Sequence, residues 1–229
     1  MTVVITGASR GIGAGLAAHY REAGLDVMGT GRSLTADITL DVTHPSGHTE
    51  MAQTLGDKPV ELLICNAGVY LDKGDDMETG YGADLWAQSF ATNVTGVYLT
   101  AMAFLQHLKR STAPKLAIIS SQMGSNTRAK GQSYIYRASK SAALNLGRNL
   151  AVDLKPQGVP VGIYHPGWVR TEMGSDAADI STDESIHWQL RRRSASEPPS
   201  PPLASVHPGL DNASLRESAS RRWCPSLSR

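Results

Sequence analysis

"TGASRGIG", residues 6–13, stands between a short β-branched run, "TVVIT" (2–6), and a helical pattern, "GIGAGLAAHYREAG" (11–24), closed by Gly24. A strand that hands over to a helix through glycines is the decisive spelling in this chain. Gly7 permits a tight turn, while Gly11 and Gly13 let backbone and ligand approach closely, with Ser9, Arg10 and Ile12 completing the loop. The first amides of a helix have no partner within it, and the helix dipole adds positive charge, so such a turn suits a pyrophosphate. The spacing is G-x-x-x-G-x-G, and glycines in a strand-to-helix turn also serve packing, so the surrounding pattern must decide.

Outward from this turn, β-branched runs alternate with helical ones, the rhythm of a parallel sheet covered by helices. "DVMGTGR" (26–32) and "ITLDV" (38–42) read as the second and third strands, with a short helix from Ser46 to Leu55. "VELLICNAG" (60–68) is nearly all apolar up to Asn66, as a strand covered on both faces should be. A long amphipathic helix is expected from Asp84 to Leu108, with Leu85, Phe90, Val94, Val97, Met102 and Leu105 along one side. "KLAIISS" (115–121) is a fifth strand, Tyr134 to Leu154 a second long helix, and "PVGIYHPG" (160–167) a sixth strand.

Composition narrows the class. The 229 residues suffice for one large α/β domain, and 41% apolar with 19% charged residues is an ordinary soluble balance. A formal net charge of +1 gives no general field for nucleic acid or an anionic membrane, so neither is expected as a partner. Cys65 and Cys224 are too few and too far apart for a disulfide framework, and no cluster has metal-ligand spacing, so no metal is expected. The start "MTVVITGASRG" lacks the basic-then-apolar pattern of a secretory signal, and no apolar run approaches the ~20 residues of a membrane span. A cytoplasmic protein is expected.

The dinucleotide can be narrowed from the second strand. An acid at its end would bind the adenosine ribose of NAD. Here the strand ends in Gly31-Arg32, and Arg10 lies in the glycine loop. Two guanidiniums beside the ribose would pair with a 2′-phosphate, so NADP(H) is the expected cofactor, with NAD(H) as the alternative. Asp41, followed by Val42, is placed to accept from the adenine amino group, or is a turn aspartate.

"GQSYIYRASK" (131–140) opens the second long helix. Residues four apart share a helical face, so Tyr136 and Lys140 are neighbours while Tyr134 and Lys140 are not. A phenol titrates near ~10, and an adjacent ammonium would lower that value toward a range useful for proton transfer. Tyr134 reads as a pocket-edge or packing residue. Alone, Y-x-x-x-K is as readily a surface pair.

The motifs "TGASRGIG", "NAG" (66–68), "NVTG" (93–96), "ISS" (119–121), "YRASK" (136–140) and "HPGWVRTEM" (165–173) occur in this order, each at the expected element. The series resembles the short-chain dehydrogenase/reductase family over about residues 1 to 175, and within it C-factor-like and sniffer-like carbonyl reductases. The resemblance implies a single-domain Rossmann-type doubly wound parallel sheet over 1–184. It implies an NADP-dependent oxidoreductase that transfers hydride between nicotinamide and a carbonyl or alcohol substrate. By position, Tyr136 would be the proton donor and Lys140 would bind the nicotinamide ribose and lower the tyrosine's pKa. Ser121, with Ser120 as its neighbour, would hold the substrate oxygen, and Asn93 would hold a relay water. Asn66, Ala67 and Gly68 would line the adenosine ribose, a segment that also braces the sheet in this family. Pro166, Gly167, Val169 and Thr171 would flank the nicotinamide. His165 beside them is read as packing or surface. The rival readings are a nucleotide-binding signalling protein with little or no turnover, and a chain that binds cofactor without turning over.

From Glu184 onward the pattern changes. Residues 185–229 hold half of the chain's 12 prolines, no lysine and neither apolar period, so an irregular or disordered Ser/Pro/Arg-rich tail is expected. Its "RRR" run and PxxP spellings read as solvated coil rather than as phosphate or SH3 contacts. The family's closing strand is missing from it, and a shifted reading frame would explain the change. With that strand absent, pairing through the two long helices makes a homodimer the expected assembly.

Overall fold

Six short runs pair side by side, all parallel, in the order β3-β2-β1-β4-β5-β6. They are β1 (Thr2–Thr6), β2 (Asp26–Gly31), β3 (Ile38–Thr39), β4 (Leu62–Cys65), β5 (Lys115–Ile119) and β6 (Val161–Tyr164). The connecting helices are α1 (Gly11–Glu22), α2 (Pro45–Leu55), α3 (Ala83–Phe90), α4 (Gly96–Ala103), α5 (Leu105–Arg110) and α6 (Tyr134–Leu154). This computed structural model describes residues 1–33, 36–78, 80–174 and 178–185. The tail read over 185–229, and the closing strand missing from it, lie outside the described residues apart from Ser185.

The two-residue period of each strand sorts its side chains between two helical layers. Val3 and Ile5, Leu62 and Ile64, and Ala117 and Ile119 pack with Leu16, Ala17 and Tyr20 of α1. On the other face, Gly147 of α6 lies against Ile163 and Ile118, where an added Cβ would stand 2.8 Å from the Ile163 side chain. Cys65 also points that way, with its Sγ 4.0 Å from the Val97 carbonyl of α4. Val3, Leu62 and Ile118 are fully buried, and each such side chain stabilises the fold by about 1.5–3 kcal/mol. The sheet is therefore doubly wound, and its strand order reverses at β1/β4. That reversal opens a crevice at the strands' carboxyl ends, where the glycine turn sits.

Two expected elements differ in a way that shapes the site. The third strand stops at Thr39 because Asp41 forms a turn, its Oδ1 accepting from the Thr43 amide at 2.9 Å and the Thr43 hydroxyl at 2.7 Å. The long helix expected over 84–108 is broken into α3, a π-helical turn over Ala91–Thr95, α4, a break at Phe104 and α5. The π turn carries Asn93, whose side chain bonds outside the helix. By contrast, β1 and α6 have the expected bounds. No described helix is long and apolar enough to cross a membrane.

Candidate active site

The glycine turn is held by β4 as much as by itself. Asn66, just beyond β4, donates from Nδ2 to the carbonyls of Thr6 at 3.0 Å and Gly7 at 3.1 Å. Gly7 has φ +69, and a Cβ on it would lie 2.8 Å from Cα of Ala67. A Cβ on Gly13 would lie 2.1 Å from the Gly7 carbonyl oxygen. Both glycines are thus required by packing. Ile12 packs against the α1 side of the core. Two features fit a pyrophosphate on this turn. The α1 N-terminus has no side-chain cap, and Ser9 Oγ is buried without a partner. Residues with open donors at a glycine turn are what a dinucleotide phosphate needs.

At the end of β2, Gly31 lets Ser9 approach, since a Cβ there would stand 1.8 Å from Ser9 Oγ. Arg32 is exposed beside this edge. Arg10 is also exposed but turns to an ion pair with Glu172, beyond β6. Burial pushes the Asp41 carboxyl up, but the Thr43 bonds and the charges of His44 and Arg32 outweigh it and hold the group below its ordinary value. Val42 is buried, and it lies where a Cβ on Gly96 of α4 would come within 2.8 Å.

Ser121, Tyr136 and Lys140 converge from two elements. After β5 the chain makes a tight 3-10 turn, Gln122–Gly124, that docks on α6. Gly124 permits the docking, because a Cβ there would stand 2.6 Å from the Lys140 carbonyl carbon. Ser120 Oγ donates to the Lys140 carbonyl at 3.1 Å, which gives this serine a structural task. Ser121 Oγ accepts from the Met123 amide at 3.1 Å and lies near enough to the Tyr136 phenol to act on its titration. Lys140 Nζ donates to the Ile119 carbonyl at 3.1 Å and lies 5.7 Å from the Tyr136 ring centroid. Burial pushes the phenol up to about 12, a shift that Ser121 opposes and that Tyr70 and Asp72 reinforce. Burial also pushes the Lys140 ammonium down to about 8. The lowered phenol expected from the Tyr-x-x-x-Lys spacing is therefore not found in the protein alone. The ammonium is turned to a carbonyl, and desolvation of the ring dominates.

Asn93 is buried, and both N–H groups of its side chain are used. Its Oδ1 accepts from the Val69 amide at 2.8 Å, and its Nδ2 donates to the Val69 carbonyl and to Ser139 Oγ, both at 2.9 Å. Ser139 Oγ in turn donates to the Tyr136 carbonyl at 2.9 Å. A Cβ on Gly68 would stand 3.2 Å from Asn93 Oδ1 and 3.3 Å from Lys140 Nζ, so these three positions meet at one point. Sequence reasoning missed Ser139, Tyr70 and Asp72. Ser139 lay inside the quoted "YRASK", whereas the other two follow "NAG" in a stretch without periodicity and carry no motif signal.

The segment after β6 folds toward the glycine turn. Thr171 lies where a Cβ on Gly11 would come 3.3 Å from its methyl group, which adds to the Arg10–Glu172 pair. Val169 is buried and bridges to Ile180. Gly167, at φ +93, faces the Ile180 side chain, and the Pro166 carbonyl accepts from Ser185 Oγ at 2.6 Å. His165 accepts at Nδ1 from the Gln122 amide at 3.1 Å, which pins the turn beside Ser121. Burial, followed by the nearby Arg128 charge, pushes its pKa down to about 4, so the ring is neutral at pH 7. Among the described residues, no group of three or more His, Cys, Asp or Glu could hold a metal ion.

Known proteins resemble this arrangement. The chain is 38% identical to C-signal of Myxococcus xanthus over 138 residues, 58% of this chain and 80% of that protein. The solved NADPH-bound carbonyl reductase from chicken fatty liver superposes with a TM-score of 0.77 at 27% identity, covering 85% of this chain and 91% of the other. The Sniffer carbonyl reductase of D. melanogaster shares the fold at TM-score 0.77 and 23% identity, with coverage of 85% and 91%. The short chain dehydrogenase family matches residues 1–181. With a doubly wound sheet, a glycine turn at its crevice and a Ser-Tyr-Lys convergence on α6, the chain belongs to the short-chain dehydrogenase/reductase family of NAD(P)-dependent oxidoreductases.

Proposed function

We propose that the protein is an NADP-dependent carbonyl reductase, acting as an alcohol dehydrogenase in reverse, with Tyr136 as its acid and base. The convergence of Ser121, from the turn docked on α6, with the buried pair Tyr136 and Lys140 carries this reading. A binding role alone needs no such pairing. The nicotinamide cofactor, when bound, supplies or accepts the hydride. Tyr136 holds the proton destined for the carbonyl oxygen, and its high pKa keeps that proton in place until the oxygen develops charge. Ser121 hydrogen-bonds the same oxygen and fixes its position. Lys140 binds the nicotinamide ribose. Asn93, buried in the π turn, holds the relay water.

The glycine turn with Ser9, Asn66, Ala67 and Gly68 holds the adenosine half, and Pro166, Gly167, Val169 and Thr171 flank the nicotinamide. Arg10 and Arg32 favour the 2′-phosphate of NADP over NAD. The NADPH bound by the chicken carbonyl reductase supports that preference. Residues 1–184 form the catalytic domain, and the protein acts in the cytoplasm as a homodimer paired through its long helices. Exposed Tyr98 on α4 and Val152 on α6 are apolar surface for such a contact.

The test is NADPH oxidation by the purified protein with a panel of aldehydes and ketones. Tyr136→Phe should bind NADPH normally and lose turnover by about 10²–10⁴-fold. NADPH binding without oxidation, unchanged in Tyr136→Phe, would remove the enzyme reading. It would favour a nucleotide-binding regulatory protein, for which the likeness to C-signal is the supporting observation.

A further inference from the structure

Tyr136 is gripped from outside its helix by one short loop. The helix that carries it begins badly by its own means. Gln132 and Ser133 precede it at φ 54 and 49, in the left-handed region, and Ser133 offers no side-chain cap. Left alone, the first turn would fray, and Tyr136 sits in that turn.

The loop following β4 supplies both missing supports. Asp72 is fully buried, and its Oδ2 accepts from the Ile135 amide at 2.8 Å while its Oδ1 accepts from the Tyr136 amide at 3.2 Å. A carboxylate at a helix N-terminus is favoured by the free amides and the dipole. Two residues earlier, Tyr70 stacks on the Tyr136 ring with centroids 4.3 Å apart and planes 21° from parallel. Its hydroxyl also bonds Ser133 Oγ. The loop is not free to drift, because Asn66 ties its start to the glycine turn and Asn93 clamps Val69 in its middle.

We propose that Tyr70 and Asp72 are positioning residues for Tyr136: Tyr70 fixes the plane of the reacting phenol, and Asp72 fixes the helix backbone from which it projects. This rests on the reading of Tyr136 as the proton donor. Stacking covers one ring face and leaves the hydroxyl edge, beside Ser121, for the substrate oxygen. The groups facing the phenol are Tyr70 and Asp72 from the loop, Ser121 from the turn after β5 and Lys140 from its own helix. Tyr70 and Asp72 both push the phenol's pKa upward and help it keep its proton.

The test uses full-length Tyr70→Phe, Tyr70→Leu and Asp72→Asn labelled with 13Cζ-tyrosine, the Tyr136 signal being assigned with Tyr136→Phe. NADPH binding is read by fluorescence, and turnover with 4-nitrobenzaldehyde as probe. Tyr70→Leu should move the Tyr136 resonance, lower its titration midpoint and cut kcat by about tenfold or more, with NADPH affinity held within about twofold. Tyr70→Phe keeps the stack and should stay near wild type. Asp72→Asn should lower the midpoint as well. An unmoved Tyr136 resonance and midpoint in both Tyr70→Leu and Asp72→Asn would overturn the proposal. So would a loss in Tyr70→Phe equal to that in Tyr70→Leu, because the hydroxyl rather than the stack would then be the agent. If wild type fails to turn over the aldehyde, the carbonyl-reductase reading is what suffers, and the resonance still decides the positioning.

Discussion

Lys140 and Tyr136 share one face of α6, yet the ammonium donates to the Ile119 carbonyl and stands 5.7 Å from the phenol ring centroid. Burial drives the two groups in opposite directions, the lysine down to about 8 and the tyrosine up to about 12. In the protein without cofactor, each therefore favours its neutral form near pH 9, and neither supplies the charge that would tune the other.

From this follows a titration result. In the cofactor-free protein, Lys140→Met should leave the Tyr136 midpoint near about 12, because burial and the neighbours Ser121, Tyr70 and Asp72 set it. The 13Cζ signal of Tyr136 across pH 9 to 12.5 checks this. A rise of the midpoint in Lys140→Met would show that the ammonium already stabilises the phenolate in the protein alone.

His165 gives a pH dependence of stability. Its folded pKa, about 4, lies below the ordinary 6.5, so between these values the unfolded chain binds more protons and stability rises with pH. Acidifying from 6.5 to 4 should cost up to about 3 kcal/mol, less to the extent that solvent reaches the partly exposed ring. His165→Asn keeps an acceptor for the Gln122 amide and removes the titration. Urea melts at pH 7, 5.5 and 4.5 should therefore show a shallower acid loss in the variant. Parallel curves for the two proteins would contradict this assignment.

Asn66 is predicted to be an architectural residue with a functional consequence. Asn66→Ala deletes two hydrogen bonds to the Thr6 and Gly7 carbonyls and should destabilise the protein by about 1–3 kcal/mol. Because those carbonyls belong to the glycine turn, NADPH affinity should fall as well. Gly13→Ala should be worse, since its methyl would meet the Gly7 carbonyl oxygen at 2.1 Å. Denaturant melts and fluorescence titration of NADPH measure both effects.

The sequence made legible what depends on local pattern. Short β-branched and continuously apolar runs marked the strands, and the Tyr134–Leu154 helix was readable from end to end. Ser121, Tyr136, Lys140 and Asn93 were found because they sit in short motifs that occur in the family's order. The misses were long-range. The Asn93 clamp on Val69 accompanies a π turn that interrupts a helix whose apolar stripe looks continuous. Asp72 caps a helix 63 residues away from its nearer partner, and no spacing rule reaches that far. The direction of the Tyr136 pKa was missed for a related reason. Spacing places an ammonium on the same face, but the depth of the ring and the carbonyl that claims the ammonium are properties of the packed core.

Cofactor choice turns on the Arg10–Glu172 pair. Both side chains are exposed, at 70% and 74%, so the pair adds little to stability. It does, however, hold Arg10 toward the segment beyond β6 and away from a second anion. Among the described residues no ion pair ties Arg32, which directly follows β2, where the 2′-phosphate is expected. Arg32→Ala should therefore weaken NADPH more than Arg10→Ala does, with NADH little affected by either. Glu172→Gln frees Arg10, and it should tighten NADPH by about 1.5–5-fold with an unchanged melting temperature. These differences should shrink as salt rises from 50 to 500 mM, because the charges involved face solvent. Dissociation constants for both cofactors at two salt concentrations measure all of this. Tighter binding of NADH than NADPH by the wild-type protein would refute the role of both arginines.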